Sequence, residues 1–418
     1  MRWLLAGALL AAATADAQVE TAGPFTTCTL PVHGADAASV ERPARRGEDA
    51  CERDGGDFVV TYLGFPPAAE AAFQAAVDTW SCQIDVAVPI RIKATWEPLG
   101  VGTLGSAGPL VVRNFEGAPS RGVWYPSALA DQFAGRDLSL DSPDIEASFN
   151  STFSDWHLDP SSPAPGQYDL YTVVLHEIAH GLGFIGALRL DEGRGRVGEE
   201  GSGPYAFDLQ TQDAAGVSLL DSKIYPPGSA RLGEALTETV LFRGRTSEAA
   251  GLAPIALYAP SSWLPGGSYS HLDESTYPNG TRDGALSPFI ARGEAVDLPG
   301  PATCAVLADL GWTLEGPCAE TVGRLGVPAS GLTLAFRGAN PVRDHTTIEV
   351  RSEVSRLVTV DVRDVRGRRV ADLGASALTD GGVFVVDVDA RTLASGVYFV
   401  VVSGGPVPEA VPLTVVRR

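Results

Sequence analysis

The sequence has only one long apolar run, and that run is too short to cross a membrane. It extends from Leu4 to Ala13, whereas a membrane-spanning helix needs roughly 20 residues. Arg2 precedes the run and Ala15-Asp16-Ala17 follows it, which is the order of regions in a secretory signal peptide. We therefore predict that residues 1–17 are cleaved after Ala17, and that the mature protein has no integral membrane segment.

Basic residues are also scarce. The chain has 31 Lys and Arg against 51 Asp and Glu, a formal net charge of −20 at pH 7. Nucleic acids and anionic lipid surfaces are bound by basic surfaces. The composition therefore argues against both as partners.

Cysteine is infrequent and its number is odd. An exported protein with five cysteines is expected to form disulfides. The spacing offers two short loops, Cys28 with Cys51 and Cys304 with Cys318, although spacing alone does not settle the pairing. Cys82 is then left over, and we interpret it as a buried free thiol.

Only six histidines are present, yet two of them form a His-Glu-x-x-His motif in Leu175-His176-Glu177-Ile178-Ala179-His180-Gly181. Residues four apart lie on one face of a helix, so His176 and His180 can present their imidazoles to one Zn²⁺ ion. Glu177 lies beside that face and is placed to take a proton from a water activated by the metal. Asp169 is the predicted N-cap of this helix, which Gly181 and Gly183 end.

Two histidines do not complete a catalytic zinc site, which normally has three protein ligands and an open position for water. His33 lies in the N-terminal extension and His345 in the C-terminal module. The candidates for the third ligand are therefore His271, His157 and a carboxylate on a following helix, for which Glu234 and Glu238 are available.

The chain divides into segments of different composition. Residues 18–54 are rich in Gly, Pro and charge and are interpreted as an N-terminal extension or propeptide. Residues 55–326 contain a strand at 58–63, a helix at 66–80 and a strand at 88–96, which predicts a mixed α/β lobe. A further strand at 144–150 is expected at the sheet edge, where an extended substrate could pair with it. Residues 187–270 are too long for a structureless loop and indicate an inserted subdomain, with an amphipathic stretch at 232–241.

The segment from His176 to Trp312 resembles the leishmanolysin-like branch of the metzincin metalloproteases. The matching motifs are the metal helix ending at Phe184, then Ser270-His271, Ala285-Leu286-Ser287-Pro288 and Asp309-Leu310-Gly311-Trp312. Most metzincins have their third histidine at the position that Gly186 occupies here. The resemblance to the leishmanolysin-like branch implies that the third ligand is His271. It also implies that Leu286 replaces the methionine that packs beneath the metal, a swap of nearly equal volume.

From about Ser330 the sequence becomes Val-rich and is punctuated by glycine, a pattern typical of a small β-sandwich. Residues 330–418 resemble the C-terminal sorting domain of the type IX secretion system, through Asn340-Pro341, a central segment at 364–368, a segment at 393–398 and the basic end Arg417-Arg418. This resemblance implies that the partner is the type IX secretion machinery and the destination the cell surface or the medium. The junction at 320–330 has the composition of a linker open to proteolysis.

The expected architecture is an α+β zincin-type catalytic domain followed by a small all-β immunoglobulin-like sandwich. The expected function is that of a secreted zinc metalloendopeptidase acting on a protein or peptide substrate. Its metal ligands would be His176, His180 and His271, and Glu177 would be the general base. Tyr269 is a candidate hydroxyl donor because it is close to His271 in sequence. The alternative is a cell-surface adhesin or an inactive metal-binding protein that keeps the helix for structure.

Overall fold

The computed structural model describes residues 19–22, 28–36, 57–140, 142–199, 202–324, 332–352, 356–364, 368–379, 382–403 and 409–417. The predicted signal peptide at 1–17 and residues 325–330 of the predicted junction at 320–330 lie outside these residues. The chain forms two compact units: Met1–Gly244 with Pro254–Glu320, and Arg245–Ala253 with Thr321–Arg418. No helix in the described part of the chain is long and apolar enough to cross a membrane.

The strands that precede residue 170 are β1 (Glu20–Ala22), β2 (Cys28–Asp36), β3 (Phe58–Leu63), β4 (Ile90–Glu97), β5 (Thr103–Pro109), β6 (Val111–Arg113), β7 (Tyr125–Pro126), β8 (Ile145–Asn150), β9 (Trp156–His157) and β10 (Tyr168–Asp169). Those that follow are β11 (Leu188–Asp191), β12 (Arg194–Val197), β13 (Thr211–Gln212), β14 (Val240–Phe242), β15 (Ile255–Leu257) and β16 (Ile290–Arg292). The helices are α1 (Pro67–Ser81), α2 (Ser127–Ala134), α3 (Leu170–Gly181), α4 (Ala230–Ala235), α5 (Arg245–Ala249), α6 (Pro301–Leu310) and α7 (Gly316–Arg324).

A six-stranded sheet forms the centre of the first unit. Its order is β16-β2-β5-β8-β4-β3. β3, β4 and β8 are parallel, β5 runs antiparallel to β8, and β2 runs antiparallel to β5. The predicted strand at 58–63 is confirmed. The predicted helix at 66–80 and strand at 88–96 are found with shifts of one or two residues.

Two helices cover this sheet. Helix α1 buries Phe73 and Trp80 completely, and the indole N–H of Trp80 donates to the carbonyl oxygen of Leu175 at 3.1 Å. Helix α3 lies so close to β8 that a Cβ atom on Gly181 would be 2.6 Å from the side chain of Ile145. Burial of the apolar faces of both helices stabilises this arrangement, which sets the position of α3.

One prediction about this sheet is wrong. Strand β8 is not at the edge, because β5 and β4 pair with it on either side. Part of the segment interpreted as an N-terminal extension or propeptide forms strands. Residues 20–22 form β1, which pairs with β6, and residues 28–36 form β2, which pairs with β5. Residues 20–22 are too few to show an alternating pattern, whereas Cys28, Leu30 and Val32 occupy alternate positions, as in a strand with one apolar face.

The segment at 187–270 has its own secondary structure. A hairpin of β11 and β12 follows the metal helix, and β13, β14 and β15 form a separate three-stranded sheet. The amphipathic stretch at 232–241 is divided between α4, which Ser229 caps, and β14.

In the second unit, strands make two antiparallel sheets with one core. They are β17 (Leu332–Phe336), β18 (His345–Ser352), β19 (Arg356–Asp364), β20 (Arg369–Leu378), β21 (Val383–Asp389), β22 (Gly396–Ser403) and β23 (Glu409–Val415). The sheet orders are β17-β18-β21 and β20-β19-β22-β23. Ile348 and Val386 from one sheet share a buried cluster with Val360, Val400 and Leu413 from the other. The period-2 pattern of the Val-rich sequence produces these inward faces.

The disulfide predictions have different outcomes. The Cys304–Cys318 disulfide is confirmed and closes a loop between α6 and α7. Cys82 is disulfide-bonded, so its interpretation as a free thiol is wrong. The proposed Cys28–Cys51 pair lies outside the residues whose side chains are described.

Candidate metal centre

The metal helix α3 has the predicted limits. The Asp169 carboxylate accepts from the backbone N–H of Thr172 at 3.0 Å and from its hydroxyl at 2.6 Å, which satisfies donors that a helix N-terminus otherwise leaves unpaired. The helix ends at Gly181, and Gly183 follows with φ of 118°. That backbone region favours glycine, so the chain can change direction three residues after His180.

Three imidazoles meet at one point. His176 and His180 lie one turn apart on α3, and His271 reaches them from a loop 91 residues beyond His180. The Nε2 atom of His176 is 3.0 Å from that of His180 and 3.2 Å from that of His271. All three side chains are at most 1% exposed. The structure therefore brings together the three residues predicted as metal ligands.

Backbone carbonyl groups orient all three rings. The Nδ1 atoms of His176, His180 and His271 lie 2.6–2.7 Å from the carbonyl oxygens of Ala285, Phe184 and Gly267, in that order. A carbonyl oxygen only accepts, so each Nδ1 carries the proton and each Nε2 presents a lone pair.

The donor set fits a metal ion. Burial lowers the pKa of His176 to about 4 and lowers the pKa of His180 and His271 well below the usual range, so the rings are neutral at pH 7. Three neutral Nε2 lone pairs directed at one another have no proton to share, which is unfavourable. A cation bound between them would make the same arrangement favourable. Three imidazoles oriented by outer hydrogen bonds are a zinc-binding set.

Glu177 is completely buried next to this cluster. Its carboxylate oxygens make no well-formed hydrogen bond among the described residues, where only the backbone N–H of Ala107 interacts weakly with them. Burial raises the pKa of the Glu177 carboxyl well above its usual range, while the nearby backbone N–H of Ala107 on β5 has a smaller lowering effect. Burying a carboxylate with so little hydrogen bonding is unfavourable, so Glu177 is a candidate for a functional rather than a structural role.

The motifs that follow His271 in the sequence make hydrogen bonds to the segments that carry the three histidines. The carbonyl oxygen of Ala285, which accepts from His176, is in a short 3₁₀ helix at Asp283–Leu286. Leu286 is completely buried, and its carbonyl accepts from the backbone N–H of Leu272 at 2.8 Å. The indole N–H of Trp312 donates to the carbonyl of Leu182 at 2.9 Å, just beyond the end of α3.

The other candidate ligands lie elsewhere. The Nε2 atom of His157 is 2.8 Å from the carbonyl oxygen of Ser161. Glu234 is on α4 and Glu238 precedes β14, and neither belongs to a metal-ligand cluster among the described residues. His345 is on β18, 4.0 Å from Asp389. The side chain of His33 lies outside the described residues.

Sequence reasoning missed Asp208, a fully buried carboxylate near the loop that carries His271. It accepts from the backbone N–H groups of Ala187 and Tyr205 and from the Tyr269 hydroxyl, the last at 2.7 Å. Burial raises the pKa of Asp208 to about 6, although these hydrogen bonds lower it. Nothing in its sequence context, Phe207-Asp208-Leu209, marks it.

The suggestion that Tyr269 donates its hydroxyl to a reacting group is not supported by this geometry. Its hydroxyl is buried between Asp208 and the Thr211 hydroxyl, at 2.7 and 2.9 Å. Burial raises the pKa of Tyr269 well above its usual range, so the hydroxyl remains a donor to Asp208.

The same contacts explain why the third histidine is not at position 186. A Cβ atom on Gly186 would lie 2.1 Å from a ring carbon of Tyr269 and 2.5 Å from a carboxylate oxygen of Asp208. Real Cβ contacts are far longer, so this position holds only glycine while those two side chains occupy the space.

Comparison with known proteins identifies the C-terminal module. Residues 340–407 match the family described as the secretion system C-terminal sorting domain. The domain indicates interaction with the type IX secretion machinery and export through the outer membrane to the cell surface or the extracellular space. No protein with a curated description matches the chain.

Solved structures give only distant similarities. One is an FMN-binding beta-glucuronidase from Facaelibacterium prausnitzii L2-6, with 21% identity, a TM-score of 0.16, and coverage of 21% of this chain and 12% of the other. Another is the endo-beta-1,4-mannanase from Thermotoga petrophila, with 12% identity, a TM-score of 0.16, and coverage of 30% and 27%. This chain therefore spans about a quarter or less of those proteins, and the similarities carry no argument about its fold or activity.

Proposed function

We propose that this protein is an exported zinc-dependent endopeptidase, similar to the leishmanolysin-like metzincins. On this proposal a zincin-type α+β catalytic domain precedes an immunoglobulin-like sorting module. The observation that carries it is the buried convergence of three Nε2 lone pairs, with the completely buried Glu177 adjacent in sequence to His176. His176, His180 and His271 would hold Zn²⁺.

When bound, zinc supplies Lewis acidity at an open coordination position, where it acidifies water and polarises a carbonyl group. Glu177 accepts the proton of the attacking water and then gives it to the leaving amine of the cleaved peptide bond. The carbonyls of Ala285, Phe184 and Gly267 hold the rings in the tautomer that leaves Nε2 free.

The buried Glu177 also favours the enzyme over an adhesin or an inactive metal-binding protein. A site kept only for structure needs its three ligands. It gains nothing from an additional carboxylate that is buried with only weak hydrogen bonding among the described residues, because burial of such a group is unfavourable.

Zinc content and peptide hydrolysis of the purified protein test the proposal. We expect one zinc per chain by elemental analysis, hydrolysis of a quenched fluorescent peptide mixture, loss of hydrolysis on removal of zinc with a chelator, and recovery when zinc is restored. His271→Ala should lose zinc and activity, while His157→Ala, the matched control, should keep both. Hydrolysis that survives complete zinc removal, or a purified protein that binds no zinc, would refute the proposal.

A further inference from the structure

The loop that carries His271 is attached to the segment that follows the metal helix at two neighbouring points. The backbone N–H of Gly186 donates to the Ser270 hydroxyl oxygen at 3.1 Å. The backbone N–H of Ala187 donates to the Asp208 carboxylate, which in turn accepts from the Tyr269 hydroxyl. Both connections lie within two residues of His271 on the loop side, and within seven residues of His180 on the helix side.

Asp208 is the bridging group. Its Oδ1 atom faces both Ala187 and Tyr269, and its Oδ2 atom accepts from Tyr205 at 2.7 Å. The carboxylate is completely buried and lies in a 3₁₀ helix at Phe207–Gln210. A buried ionisable group that bonds two separate chain segments fixes the distance between them, since breaking either bond leaves a polar atom unpaired.

The backbone at Tyr269 is in an uncommon conformation. Its φ is 76°, in the left-handed region that a bulky residue rarely adopts. This conformation persists because the side chain is enclosed: the ring packs edge-on against Phe207 at 5.8 Å, and the hydroxyl also contacts Thr211 at 2.9 Å. Strain of this kind is held where surrounding structure over-determines it, and it often occurs at functional sites.

We infer that Asp208 and Tyr269 are positioning residues that hold His271 at the distance from His176 and His180 that a metal ion requires. This inference rests on the proposed function, because it takes the three histidines to be the ligands. His271 differs from the other two ligands in one respect: no shared helix fixes its place. The Tyr269–Asp208–Ala187 connection supplies that constraint two residues from the ligand.

The test compares Tyr269→Phe with Tyr225→Phe in the purified full chain. Both variants remove one tyrosine hydroxyl that donates to an aspartate in the same inserted segment, since the Tyr225 hydroxyl donates to Asp213 at 2.5 Å. Asp213 accepts no bond from the loop that carries His271 among the described contacts. The readouts are the zinc dissociation constant, by competition with a chromophoric chelator, and the visible absorption spectrum of the Co²⁺-substituted protein.

We expect Tyr269→Phe to stay folded, to bind zinc about tenfold or more weakly, which is typical of lost hydrogen bonds around metal ligands, and to change the Co²⁺ spectrum. Tyr225→Phe should match the wild type in both readouts. Equal zinc affinity and spectra for Tyr269→Phe and wild type would overturn the inference while leaving the proposed metal site intact. A wild-type protein that binds no zinc would overturn both. If Tyr269→Phe does not fold, Thr211→Val is the second variant. It removes the other bond to the Tyr269 hydroxyl and the bond that the Thr211 hydroxyl donates to the Asp208 carbonyl oxygen, and it must weaken zinc binding in a folded protein for the inference to stand.

Discussion

Replacement of Glu177 by glutamine is expected to separate catalysis from metal binding and from stability. Glutamine has nearly the same shape but no basic carboxylate, so the variant cannot take the proton of the attacking water. General base catalysis contributes about 10²- to 10⁴-fold to a rate, which corresponds to about 2.7–5.4 kcal/mol of activation free energy. We expect kcat/KM to fall by this factor while one zinc stays bound.

The structure also predicts the effect on stability. Both oxygens of Glu177 are buried and interact only weakly with the backbone N–H of Ala107 among the described residues, so the substitution breaks no strong hydrogen bond. It also removes a carboxylate whose ionised form is disfavoured by burial. The free energy of unfolding should therefore not decrease by more than about 1 kcal/mol, and it should increase if the wild-type carboxylate is ionised.

Three measurements on the same preparation check this prediction: peptide hydrolysis, zinc content and urea-induced unfolding. Glu146→Gln is the control, because Glu146 is an exposed residue of β8 that pairs with Lys93; it should retain activity, zinc and stability. A zinc-loaded Glu177→Gln protein that keeps more than about a tenth of the wild-type kcat/KM would refute the assigned role. Loss of zinc would show instead that Glu177 is a ligand.

Three further predictions follow from buried groups and from the division of the chain. Gly186→Ala places a methyl group where two buried side chains already lie, so it should reduce the free energy of unfolding by about 1–3 kcal/mol or more and weaken zinc binding. The control Gly100→Ala makes only one contact, at 3.8 Å, and should change neither stability nor zinc binding. Similar unfolding curves for the two variants would contradict the packing described. Burial raises the pKa of Asp131 to about 7 from 3.8; the folded state then binds more protons than the unfolded state, so stability should fall as pH rises from about 4 to about 7. Asp131→Asn should show a smaller decline in urea unfolding across that range, and parallel curves would count against the shift. A chain that ends at Arg324 should bind one zinc and hydrolyse peptide. A truncated chain that folds but binds no zinc would show that residues after Arg324 contribute to the site. Deletion of 340–407 in the native host should leave the protein in the periplasm.

Local sequence determined the metal helix and its ends. The four-residue spacing of His176 and His180 puts both rings on one face of any helix that forms there. Asp169 and Gly183 limit that helix for reasons that depend only on a side-chain acceptor and on a positive φ. Local patterns likewise located β3, α1 and β4, because apolar spacing decides which side chains can be buried together.

Contacts between residues distant in sequence determined the rest. The strand at 145–150 has the composition of a strand in any position, and only its neighbours β4 and β5 make it an interior strand. The N-terminal strands β1 and β2 pair with β6 and β5, partners that lie more than 60 residues away along the chain and that no local pattern identifies. The bonding of Cys82 depends in the same way on which cysteine the fold brings near it.

The third ligand lies between these cases. Sequence alone left His271, His157 and a carboxylate open, and a family resemblance favoured His271. The tertiary structure places the Nε2 atom of His271 3.2 Å from the Nε2 atom of His176. It also leaves no room for a side chain at Gly186. Nothing in the sequence marked Asp208, because the role of this aspartate depends on the two distant segments that its carboxylate connects. Helix geometry is periodic along the chain and can be read from it, whereas the return of the chain to His180 at a residue 91 positions later depends on packing that no local pattern encodes.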